Sequence, residues 1–167
     1  ENMKIKLCYI PSHLSCGGMP QFLLKRIQTL LDYTDTFEIF VIEYHDYGKH
    51  FPTQRNQIIE LLGDHFYSSD KVLDILDEIK PDIIHLDEMP ELMGNDELFK
   101  KLYSNDRKWY IVETCHNSSF RPDSDKKFHP DLYAFCTPWH EDIFGNMDAQ
   151  FVTIPYPIDK KDNSAIK

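Results

Sequence analysis

The stretch Lys4–Leu31, KIKLCYIPSHLSCGGMPQFLLKRIQTLL, decides how the rest of the chain is read. Lys4 to Ile10 carries apolar residues on both faces, as a central strand does in a parallel sheet covered on each side. From Met19 the apolar positions Met19, Phe22, Leu23, Ile27, Leu30 and Leu31 recur at helical spacing. Pro20 suits the first turn of that helix, where its missing N–H costs nothing. Between strand and helix stands Gly17-Gly18, the one Gly-Gly pair in a chain with six glycines. A tight turn that needs positive φ explains the pair. So does a backbone brought close to an anion at the helix N-terminus. The glycines alone leave both readings open.

The same alternation repeats down the chain. Strands are expected at Phe37–Tyr44, His65–Tyr67, Asp82–Leu86, Trp109–Thr114, Leu132–Cys136 and Phe151–Ile154. Helices are expected over Thr53–Leu62, around Val72–Ile79 up to Pro81, over Asp96–Tyr103, and from Pro138-Trp139. Connections this short imply right-handed βαβ crossovers. The expected fold is α/β: a three-layer, Rossmann-like open parallel sheet of about six or seven strands. Residues 1–155 read as one domain. The polar run 156–167, prolines and then charges, reads as the start of a linker towards a second domain.

A net charge of -10 argues against nucleic acid as a partner and against stable docking on an anionic membrane. No segment is apolar for long enough to span a bilayer, and the N-terminal run is too short for a secretion signal. The four cysteines, Cys8, Cys16, Cys115 and Cys136, form no CxxC pair and no metal-finger spacing. They read as free thiols in a cytoplasmic protein, with no metal site.

In an open parallel sheet, ligands bind beyond the carboxyl ends of the strands. The residues just after each strand therefore make up the candidate site. The first strand delivers His13 and the loop Gly17-Gly18, the second His45 and Asp46, and the fourth Asp87 and Glu88. The fifth delivers Thr114, Cys115, His116 and Asn117. His116 is the leading candidate, because an imidazole there can bind a sugar hydroxyl or move a proton near neutral pH. His85 lies inside a strand and reads as a hydrogen-bonded structural residue. Asp87-Glu88 is a possible carboxylate pair, although neighbours on a strand point to opposite faces. Cys115 as a nucleophile needs a base that faces it. Lys126-Lys127 and the acids before them read as solvated surface. The chain has neither a GxGxxG fingerprint nor a GK[ST] P-loop, which disfavours a dinucleotide-dependent oxidoreductase.

Several segments, in order, resemble the N-terminal half of a GT-B glycosyltransferase of the retaining family 4. KIKLCYIPSHLSCGGMPQFLLKRIQTLL is similar to that family's first strand, glycine loop and first helix. KPDIIHLD resembles its Pro-Asp-apolar-apolar-His strand, and IVETCHN its strand ending in Thr-x-His-Asn. DLYAFCTPWHEDIF resembles a strand that ends at Ser or Thr and enters a helix, and IPYPID the crossing towards the second domain. Asp87 stands where a second His is common, and Tyr156-Pro157 replaces Asn-Gly.

The resemblance implies a two-domain enzyme that moves a sugar from a nucleotide-sugar donor to an acceptor, with retention and without a metal or other cofactor. It implies that Gly17 and Gly18 face the donor diphosphate and that His116 is the catalytic-cleft histidine. It places His13, Asp87, Glu88, Thr114 and Asn117 on the acceptor or sugar side. A C-terminal GT-B domain would be the partner that completes the cleft, so this half alone is expected to be inactive. A non-catalytic Rossmann-like or flavodoxin-like binding module is the alternative, since such sheets host many functions.

Overall fold

The computed structural model describes residues 3–15, 18–46, 53–87, 90–116, 122, 126–144 and 149–154. Seven strands form one sheet: β1 (Ile5–Ile10), β2 (Phe37–Glu43), β3 (Phe66–Ser68), β4 (Ile83–Asp87), β5 (Tyr110–Cys115), β6 (Leu132–Phe135) and β7 (Phe151–Thr153). The helices are α1 (Gly18–Tyr33), α2 (Thr53–Leu62), α3 (Val72–Ile79), α4 (Asp96–Leu102) and α5 (Pro138–Phe144). Every pairing is parallel, in the order β3-β2-β1-β4-β5-β6-β7. The α/β class, the parallel sheet and the alternation read from the sequence are therefore present.

The side-chain alternation of the strands sorts the core into two faces. Leu7, Tyr9, Ile39 and Val41 point to one face and pack with Leu23, Leu24 and Ile27 of α1 and Ile58 of α2. Cys8, Ile10, Ile42, Ile84, Leu86 and Ile111 point to the other, under α3 and α4. There Val72, Leu76 and Ile79 supply one helix stripe, and Leu98, Phe99 and Leu102 the second. Further along that face Tyr133 and Phe135 meet Phe144 of α5.

Local chemistry sets the ends of these helices. Asn95 caps α4, its side chain accepting from the Leu98 N–H at 3.1 Å. Lys80 closes α3 in the left-handed region at φ 53, its N–H donating to the Leu76 carbonyl. Pro81 then prevents continuation.

After β1, the chain runs outward through β2 and β3, returns beside β1 as β4, and continues the other way through β7. The order therefore reverses between β1 and β4. The carboxyl ends of those two strands flank the crevice where such sheets bind ligands.

Candidate functional site

The crevice is built from side chains that share one face. Tyr9 of β1 is opposite His85 of β4, His85 is opposite Val112 of β5, and Asp87 is opposite Thr114. Because side chains alternate, His85, Asp87 and Thr114 all face α1, whose Arg26 reaches His85 and whose Phe22 reaches His116.

At the centre, Asp87 is completely buried and its Oδ1 lies 3.2 Å from His116 Nε2. The carboxylate can only accept, so the partners assign the proton of His116 to Nε2, which donates to Asp87. Phe22 meets the imidazole edge-on, with ring centroids 4.8 Å apart. On the far side His116 Nδ1 lies 3.7 Å from the thiol of Cys136. The geometry is therefore a carboxylate holding an imidazole whose other nitrogen meets a weak donor. With Nε2 on Asp87 and the side chain 8% exposed, a hydroxyl reaches this imidazole only by taking the place of the Cys136 thiol at Nδ1. There the carboxylate would stabilise the imidazolium formed by proton uptake.

Burial pushes the Asp87 carboxyl up, but the His116 hydrogen bond and the positive charges of His85, His116 and Arg26 outweigh it, and the net shift is downward. Asp87 Oδ2 is buried without a hydrogen-bond partner. His140 Nε2, at the start of α5, is in the same condition. Burial and then the proximity of His116 lower the pKa of His140. Two buried polar atoms without partners near one histidine mark this end of the sheet as polar beyond what packing requires.

His85 fills a structural place, as its position inside a strand suggested. Its imidazole is hydrogen-bonded to the Thr114 hydroxyl, and Arg26 Nη1 lies 3.3 Å from its Nδ1. The same Nη1 lies 3.1 Å from Nε2, so the guanidinium faces both ring nitrogens, and the Thr114 hydroxyl, which can donate as well as accept, completes the set. Burial pushes its pKa down to about 4, so it is neutral at physiological pH.

Thr114 is thus enclosed beneath the crevice, 1% exposed, with its hydroxyl on His85. His13 lies beyond β1, forms a parallel bridge with His45, and shares a 3.0 Å hydrogen bond between its Nδ1 and Ser15 Oγ. Gly18 is the first residue of α1, at the crevice. Gly17, Glu88 and Asn117 lie outside the described residues.

Three features escaped the sequence. The sulfur beside His116 is Cys136, not its neighbour Cys115, because β6 lies next to β5 in space. At 5% exposure, however, Cys136 is not presented to a substrate. Glu43 is buried at the end of β2 and ties together the Leu14 N–H, Arg55 and the Ser68 hydroxyl, which fixes the loop after β1.

Lys126 corrects the reading of a solvated surface. Its side chain is fully buried, with Nζ 2.6 Å from Glu113 Oε1 and 2.9 Å from Glu91 Oε2. Only Lys127 is exposed as expected. Glu113 stands inside β5, YIVETC, and nothing local signals its buried cation.

Among the described residues no group of three or more His, Cys, Asp or Glu is arranged to hold a metal ion. No described helix is long and apolar enough to cross a membrane. No family model and no curated protein matches the chain.

Proposed function

We propose that this chain is the acceptor-side half of a retaining glycosyltransferase of the GT-B type. The observation that carries the reading is the Asp87–His116 pair, held at the β1/β4 crevice beside the N-terminal end of α1. In this reading His116 contacts a sugar or acceptor hydroxyl, and Asp87 orients it and balances its charge. The N-terminal end of α1 favours the negative charge that develops on a departing diphosphate. Glycine at the entry to that helix leaves room for the phosphate to approach. The second wall of the cleft, with the nucleotide-binding part, belongs to a further domain.

The test is nucleotide-sugar hydrolysis and transfer by protein that carries both halves, comparing wild type with His116→Ala. Loss of a positioned acid–base group lowers the rate by about 100-fold or more. Unchanged rates and acceptor affinity would remove His116 from the site. In the same two-domain protein, titration with uridine and guanosine diphosphate sugars is followed by amide shifts. Shifts are expected at the first turn of α1 and at His116, and their absence with every donor would count against the proposal.

A further inference from the structure

Among the described residues, only α1 and α2 cover the face of the sheet that carries α1. α1 and α2 lie over β1 and β2, whereas the described helices over β4 to β7 all pack on the opposite face. Beside α1 this leaves a groove of about 430 Å³, with Ile83, Val112, Leu132 and Ile154 along the sheet and Leu30 on the helix. The volume is that of a small-molecule site.

One ionised group lines the groove: Arg26. The other titratable residues there, Tyr9 and His85, are uncharged at neutral pH because burial raises the first and lowers the second. The contacts of Arg26 are uncharged as well. Its guanidinium touches the His85 ring nitrogens at 3.1 and 3.3 Å and lies 4.6 Å over the Phe22 ring. Asp87, on the same face, feels its charge, but no described carboxylate forms an ion pair with it. A half-buried guanidinium without an ion-pair partner, at the side of an apolar groove, calls for an anion attached to an apolar body. A single negative charge balances Arg26, whereas a dianionic phosphate would also meet the field of Asp87.

We propose that this groove binds an acyl chain ending in a carboxylate, with the chain on β4 to β6 and the carboxylate on Arg26. The groove shares Arg26 and His85 with the floor of the crevice but does not rest on the transferase reading, because it uses neither His116 nor the start of α1.

Calorimetric titration of the full chain with decanoate, decanol and decyltrimethylammonium, each below its micellar concentration, tests it. The expected result is one decanoate per chain, bound at least about tenfold tighter than decanol, with the cation weaker still. Methyl shifts on adding decanoate should centre on Ile83, Val112 and Leu132, a readout that needs no variant. Arg26→Gln should reduce decanoate binding to the level of decanol and leave decanol unchanged. Val112→Trp should block both while the far-ultraviolet dichroism stays native. Equal affinity of the wild type for decanoate and decanol overturns the proposal, as does undiminished decanoate binding by Arg26→Gln or no binding at all. Sedimentation showing a dimer that Val112→Asp dissociates also overturns it and gives the groove to a second copy of the chain.

Discussion

At the scale of single residues, His116 is defined by Asp87. A loop histidine becomes a fixed one because the neighbouring strand places a fully buried carboxylate 3.2 Å from its Nε2. The same face predicts how stability depends on pH. His85 is held at about 4 against an ordinary 6.5, so the unfolded chain binds more protons between those values. Stability should therefore fall as pH drops from 6.5 towards 4, by on the order of 3 kcal/mol for this group. Glu113, raised to about 7, contributes the opposite slope in this window, and the lowered His140 adds to the His85 slope. The His85 contribution is therefore read as the difference between urea unfolding of the wild type and of His85→Gln, with the variant losing less stability as pH falls. Asp87 acts at lower pH. Its folded carboxyl titrates below the ordinary 3.8, so its contribution is present above that value and lost as pH falls through the folded pKa. The acid limb below pH 3.8 should be shallower in Asp87→Asn than in the wild type.

At the scale of elements, the loops after β4 and β5 are joined by a buried clasp. Lys126 bridges Glu113 of β5 and Glu91 of the turn after β4, and Glu91 also accepts from the Lys127 and Phe128 N–H groups. Burial pushes the Glu113 carboxyl up to about 7, while the Lys126 ammonium pulls it back. Lys126→Met removes the counter-charge that Glu113 has in this network and should cost about 3–5 kcal/mol in chemical denaturation. The double variant Lys126→Met/Glu113→Gln should recover most of the loss, because Glu113 no longer carries a buried charge without its partner. A double-mutant cycle measures the coupling, and additive losses would show that the two side chains act separately. Elsewhere the cap of α4 is a simpler case. Asn95→Ala leaves the Leu98 N–H without its acceptor and should lower stability by about 1 kcal/mol.

At the scale of the whole molecule, the two faces of the sheet are unequal. β1 and β4 are central, each paired on both sides, and most of their residues are buried. β3 and β7 are the edges and have three residues each. Amide hydrogen exchange should be slowest in β1 and β4 and fastest at β3 and β7, since opening an edge breaks one ladder and exposes little core. Uniform protection across the sheet would show instead that it opens as a single unit.

The legibility of the fold and the site in the sequence depends on the range of each interaction. Element type and order depend on local periodicity and on Gly and Pro punctuation. Thr53–Leu62, Val72–Ile79 and the helix start at Pro138 accordingly lie where their patterns place them. The polar edge of the sheet was also legible, because a parallel strand must deliver the residues after it to its carboxyl end. Partners were not. Asp87 meets His116, Cys136 meets His116, Glu43 meets Arg55 and Lys126 meets Glu113 across separations no local pattern encodes. The sequence by itself determined a parallel α/β sheet with its titratable groups along one edge. Only the tertiary structure decided which strands became neighbours. Strand order brings distant residues within hydrogen-bonding reach, and burial then sets which of them are charged.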